Sequence, residues 1–115
     1  MISLNEIKHL TEKIIQFRDA RDWQKFHYPK DLAISISLEA SELLETFQWK
    51  TSDEAVENKI DDMKDELADI FIYTLLFANE IGIDIEKAVE QKIQKNNEKY
   101  PVEKAYGSNA KYTEF

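Results

Sequence analysis

The chain has 115 residues, 43% of them hydrophobic and 33% charged, the composition of one soluble globular domain spanning 1–115 and too short for two. Fifteen Lys and Arg against 23 Asp and Glu give a formal charge of −8, with no basic cluster, which disfavours a nucleic acid polymer as partner. Cysteine is absent, excluding disulfides, zinc-thiolate sites, iron–sulfur clusters and thiol catalysis, so any metal must sit on oxygen or histidine.

The first residues, MISLNEIKHL, have neither the basic nor the apolar region of a signal peptide, and no uncharged stretch approaches the roughly 20 residues of a membrane span. A cytoplasmic protein without membrane association is expected. Two glycines and two prolines leave no room for a G-x-x-x-x-G-K or G-x-G-x-x-G phosphate loop and predict long helices.

Ser3 and Glu6 form an S-x-x-E capping pattern, followed at helical spacing by Leu4, Ile7, Leu10, Ile14 and Phe17, which predicts a helix over roughly 4–19. The stretch RDARDWQKFHYPKD around Pro29 reads as a connection, with Asp31 as N-cap of a second helix running to about Lys50. Thr51 and Glu54 repeat the capping pattern and open a short helical piece leading into a long helix from about Lys59 to Ile81, with Gly82 as its left-handed end. Asp84 caps a last helix carrying Ile85, Ala88, Val89 and Ile93, which Pro101 stops. From Val102 to Phe115 there is no periodicity. The expectation is an all-α, four-helix bundle-like protomer with an irregular C-terminal arm over 102–115.

On a helical wheel, Leu32, Ala33, Ile36, Ala40, Leu43, Leu44 and Phe47 form one stripe of the second helix, expected to be core. Glu39, Glu42 and Glu45 share another face with Ile34, Leu38 and Trp49, which a purely solvated face would not carry. In the long helix IFIYTLLFA, residues 70–78, is apolar nearly all round, as in a buried helix; its narrow polar arc holds Asp62, Glu66, Asp69 and Tyr73. Antiparallel packing would set Glu39 and Glu42 opposite Glu66 and Asp69. Four like charges so close repel unless cations intervene, and hard divalent ions with oxygen ligands fit, Mg²⁺ best. A single E-x-x-E pair is commonly a solvated surface in so acidic a chain; two pairs on partly apolar faces are less so.

L-E-A-S-E-L-L-E-T-F-Q-W-K (38–50) followed by D-E-L-A-D-I-F-I-Y (65–73) resembles the MazG-like all-α nucleoside triphosphate pyrophosphohydrolases, whose signature is E-x-x-E on one helix and E-x-x-D on the next long one. R-D-W-Q-K-F-H (21–27), F-Q-W-K, N-x-x-K-Y-P (96–101) and G-S-x-x-K-Y (107–112) are similar to the dCTP pyrophosphatase branch. Leu38 stands where the broader family often has a further glutamate. The resemblance implies Mg²⁺-dependent attack of water on the α-phosphorus of a nucleoside triphosphate, with Mn²⁺ as a substitute ion, and a homodimer or homotetramer. It favours dCTP or a modified deoxycytidine triphosphate as substrate and clearing of the nucleotide pool as purpose.

By that resemblance and the wheel, Glu39, Glu42, Glu66 and Asp69 are metal ligands, and Glu45 orients a metal-bound water or acts as general base. Trp23, His27, Trp49 and Tyr73 match the aromatic and histidine positions of the family pocket, where rings stack on a base; core packing is the bland alternative for each. Lys50, Asn96, Lys99, Lys111 and Tyr112 could contact phosphates, and the arm is expected to fold over the site or across a subunit interface. Two other classes compete. A ferritin-like di-iron bundle expects two E-x-x-H pairs, and only Glu6 with His9 matches. A non-catalytic helical interaction module would use the acidic face for a basic partner and would show no metal dependence.

Overall fold

Helices follow one another without a strand along the described residues, 4–115, of the computed structural model. They fall into two compact units, one ending at Ile83 and the other covering Asp84–Phe115. The Ser3 half of the first capping pattern lies outside the described residues. In the first unit, α1 covers Leu4–Asp19, α2 covers Pro29–Glu45 and α3 covers Ser52–Ile81.

α1 ends in a Schellman-type cap. The Trp23 N–H donates to Arg18 O and the Asp22 N–H to Asp19 O, each at 3.1 Å, which satisfies two carbonyls that the helix end would leave orphaned. The bend puts Asp22 at φ +53°, a left-handed conformation that aspartate tolerates better than most residues because its short carboxylate bonds locally. It also folds Trp23 back onto Phe17, edge to face at 5.7 Å.

α2 is capped three residues before the expected Asp31. Tyr28 is the N-cap, without a side-chain cap bond, and Pro29 opens the first turn, where its fixed φ suits a helix and its missing N–H costs nothing. Asp31 lies inside that turn and complements the helix dipole instead of capping. The helix also stops at Glu45, short of Lys50. Phe47, Gln48 and Lys50 donate to carbonyls three residues back, the Thr46 hydroxyl donates to Leu43 O at 2.7 Å, and Trp49 turns left-handed at φ +62°, so the backbone tightens and then reverses.

α3 begins as expected, with Thr51 Oγ1 accepting from the Glu54 N–H at 3.2 Å. Lys59 has φ −122° and ψ 18°, a kink where the expected short piece meets the long helix. Gly82, at φ +73°, ends it, and the Ile83 N–H donates back to Ala78 O at 2.8 Å.

α3 packs most extensively on α2, across a connection short enough to make them antiparallel neighbours, and less on α1. The protected positions of α2 are Leu32, Ser35, Ile36, Glu39 and Leu43, continued by Thr46 and Phe47 in the turn that follows, a seam spaced by threes and fours. On α3 they include Met63, Glu66, Ile70, Tyr73 and Phe77, with Leu75, Leu76 and Ala78 buried. The expected α2 core stripe holds only in part, because Ala33, Ala40 and Leu44 are exposed. The α2 face turned to α3 is rotated toward Glu39, so a carboxylate occupies a position where hydrophobicity alone would place an alanine.

In the second unit, α4 covers Ile85–Lys99, with Asp84 Oδ1 accepting from the Lys87 N–H at 3.1 Å. The arm is less irregular than expected: α5 covers Val102–Ala105 and a 3₁₀ turn covers Tyr112–Glu114. Both are too short for periodicity to reveal. Tyr100 packs against the second of them, meeting Tyr112 at 5.8 Å and Phe115 at 5.9 Å, edge to face. No described helix is long and apolar enough to cross a membrane.

Candidate active site

Glu39 and Glu42, one turn apart on α2, meet Glu66 of α3, with one carboxylate oxygen from each lying within 4.8 Å of the others. Glu39 Oε2 and Glu66 Oε2 are buried without a hydrogen-bond partner. An unpaired buried carboxylate oxygen is costly, and two of them, with the exposed Glu42 beside them, converge here with no cation among the described side chains opposite them. Burial, then the neighbouring Glu42 and Glu66, push the Glu39 carboxyl up to about 7. Glu66 is raised as well, chiefly by Glu42 and by its own burial. The donor set is wholly hard oxygen, and a divalent cation is what satisfies such oxygens and reverses both shifts. The cluster fits a metal.

Asp69 lies outside the three-carboxylate set, but its charge reaches both Glu39 and Glu66, and it lines the adjoining cavity. This cavity, of about 430 Å³, lies between α1, the connection after it and α3, and is walled largely by apolar groups, among them Ile14, Phe17, Ile72 and Leu76. Trp23, His27 and Tyr73 line it together, which brings three of the four expected base-contacting residues to one place. Burial and the nearby Glu39 and Asp69 raise the Tyr73 phenol, so it stays a protonated donor. Burial, and then the Arg18 guanidinium, lower His27, against a smaller opposing pull from Glu80. The imidazole is therefore neutral at pH 7, with Nδ1 buried and unpartnered.

The remaining expected residues stand elsewhere. Trp49, 92% exposed, and Lys50 belong to the turn after α2. Glu45 is exposed on the last turn of α2, beside a separate shallow depression lined by Ser41, Leu44, Phe47 and Gln48. Asn96 and Lys99 lie on α4, and Lys111 and Tyr112 on the arm, where Lys99 Nζ sits 5.1 Å from the Tyr112 ring centroid.

Arg18 is the cavity residue that sequence reasoning missed. It is 4% exposed and completes the protected positions Ile7, Thr11, Ile14 and Arg18 of α1. A basic residue at the last position of an otherwise inward-facing stripe was the available signal, hidden because the apolar spacing pointed to Leu10 and Phe17, which are more exposed.

A model of the MazG-like family matches residues 34–115. The dCTP pyrophosphatase 1 proteins of Homo sapiens and Mus musculus are 36% and 35% identical to the chain over 104 residues, 86% of its length. The alignment spans only 61% of either relative. Among solved structures, a pyrophosphatase from Archaeoglobus fulgidus DSM 4304 shares 43% identity at a TM-score of 0.78, covering 82% of this chain and 91% of that one. Since the family match takes in both carboxylate-bearing helices and well over half of the residues, the chain belongs to the MazG-like family.

Proposed function

We propose that the chain is a Mg²⁺-dependent nucleoside triphosphate pyrophosphohydrolase, acting as one domain over 1–115, with dCTP or a modified deoxycytidine triphosphate as substrate. A cytoplasmic location and a homodimer or homotetramer are part of the same proposal. The observation that carries it is the pair of buried, unpartnered oxygens of Glu39 and Glu66, beside an apolar cavity lined by Trp23, His27 and Tyr73. The activities for which the similar proteins are named, dCTP pyrophosphatase and pyrophosphatase, point the same way.

In the proposed reaction, water adds to the α-phosphorus and the bond from that phosphorus to the bridging oxygen breaks. Nucleoside monophosphate and pyrophosphate are the products. Mg²⁺, or Mn²⁺ in its place, would be held by Glu39, Glu42, Glu66 and Asp69, and when bound it neutralises the triphosphate and polarises its α-phosphoryl oxygens. The chain's own groups do the rest. Trp23 and Tyr73 offer ring faces and edges to the base and exclude water from it, and the neutral His27 offers a ring nitrogen without a competing charge. The assignment of Glu45, one turn beyond Glu42 on α2 and exposed, to orienting or deprotonating the attacking water rests on the family resemblance alone. Trp49 as a base contact, and Lys50, Asn96, Lys99, Lys111 and Tyr112 as phosphate contacts, rest on the family resemblance.

Pyrophosphate release from a panel of standard and modified nucleoside triphosphates tests the reading, with and without Mg²⁺ and beside Glu42→Gln. Release that requires the metal and disappears in the variant is the expected result. Silence across the panel from a folded protein would favour a non-catalytic interaction module.

A further inference from the structure

Arg18 is the one buried charged residue among those described, 4% exposed, and it stands at the end of the inward seam of α1, where packing alone asks for an apolar side chain. Burying a guanidinium is costly unless its donors are used. Only part of this one is. Nε donates to Asp19 Oδ1 at 2.9 Å, and Asp19 is itself 53% exposed, so the pair is too solvated to repay the burial. The terminal nitrogens make no further hydrogen bond or ion pair with a described residue. Arg18 lines the same cavity as Trp23, His27 and Tyr73, and the other charged groups there are Lys13 and Asp69.

We infer that Arg18 is a specificity-determining residue, whose terminal nitrogens donate to two adjacent acceptors on the edge of the bound base and so favour cytosine over uracil and thymine. The inference rests on the reading of this cavity as the base site. A guanidinium is a fixed fork of donors that matches paired acceptors. Cytosine offers O2 and N3 side by side, both acceptors. In uracil and thymine N3 carries a hydrogen, which would meet the N–H of Arg18 head on and leave a buried donor unpaired. The apolar walls of the cavity strengthen that discrimination, because water cannot make up the missing bond. Asp19, holding Nε, fixes the plane of the fork; it is a positioning residue.

The test is calorimetric titration of the protein, with Mg²⁺ present, by dCMP, dUMP and the 3-deaza analogue of dCMP, in which N3 is a C–H. The same titrations are made with Arg18→Gln, and pyrophosphate release is measured in parallel. Wild type should bind dCMP roughly 10- to 100-fold more tightly than either of the other two, the range of one bidentate base contact. Arg18→Gln should lose most of that factor for dCMP while changing dUMP little. The losses from the variant and from the deaza analogue should not add, since both remove one interaction. Equal binding of dCMP and its deaza analogue by wild type would overturn the inference without requiring any variant to fold. So would a variant that loses dCMP and dUMP alike. Guanine presents a comparable pair in O6 and N7, so dGMP bound as tightly as dCMP would overturn the assignment to cytosine. The expected binding pattern without pyrophosphate release would remove the pyrophosphohydrolase reading and leave Arg18 in place, whereas release without the pattern would do the reverse.

Discussion

Glu39 illustrates how a single residue can be destabilising in one state and necessary in another. Its carboxyl titrates near the ordinary 4.5 in the unfolded chain and at about 7 in the folded one. The folded protein therefore binds the extra proton between those values, and the metal-free protein loses stability as pH rises through that window. A cation at the cluster needs the deprotonated form, so Mg²⁺ or Mn²⁺ affinity should climb from pH 6 to pH 8, as calorimetric titration at the two values would show. Glu39→Gln should melt higher than wild type without metal, by about 1 kcal/mol for one removed like charge in a partly solvated site. It should also lose the stabilisation that added metal confers on wild type. Asp22 is a second residue under strain, at φ +53°. Asp22→Val, which cannot adopt that conformation cheaply, should cost about 1–2 kcal/mol in denaturant unfolding. Because Trp23 is placed by the same turn, the variant should also weaken nucleotide binding.

Among the elements, the helix termini were the most legible where one side chain makes one bond. Thr51 reads as a cap from the T-x-x-E spacing and is one, with Oγ1 at 3.2 Å from the Glu54 nitrogen. Thr51→Ala should lower stability by about 1 kcal/mol and leave turnover per folded molecule unchanged, which thermal melts and pyrophosphate assays would check together. The end at Gly82 was legible for another reason, a residue without a Cβ standing at the left-handed position that follows the last apolar turn. The ends of α2 were not, since Pro29 opens the helix without any side-chain cap, and the helix closes on a Thr46 hydroxyl bonded to Leu43 O and a left-handed Trp49, residue types that do not by themselves mark a helix end. The rotation of α2 about its axis was also hidden. It is fixed by what α3 offers in return, and it moves Glu39 inward while leaving Leu44 71% exposed.

At the level of the whole molecule, apolar side chains remain exposed in rows on the first unit. Ile60, Leu67 and Phe71 share one side of α3, and Ile34 and Leu38 lie one turn apart on α2; all are at least 40% exposed. Rows of this kind suit self-association better than solvent, in keeping with the proposed homo-oligomer. Sedimentation should give a mass of at least two chains, and Leu67→Glu with Phe71→Glu should lower it toward one. A wild-type monomer would remove this part of the proposal.

The sequence by itself determined the helical class, the caps at Thr51, Gly82 and Asp84, and the two carboxylate pairs. Each is written in local spacing, over three or four residues, where backbone geometry alone decides which side chains meet. Only the tertiary structure decided that Glu39, Glu42 and Glu66 converge while Asp69 sits toward the cavity, and that Arg18 is buried beside Trp23, His27 and Tyr73. Those placements depend on the rotation of one helix against another and on the turn after α1, which are fixed by the packing of residues distant in the chain.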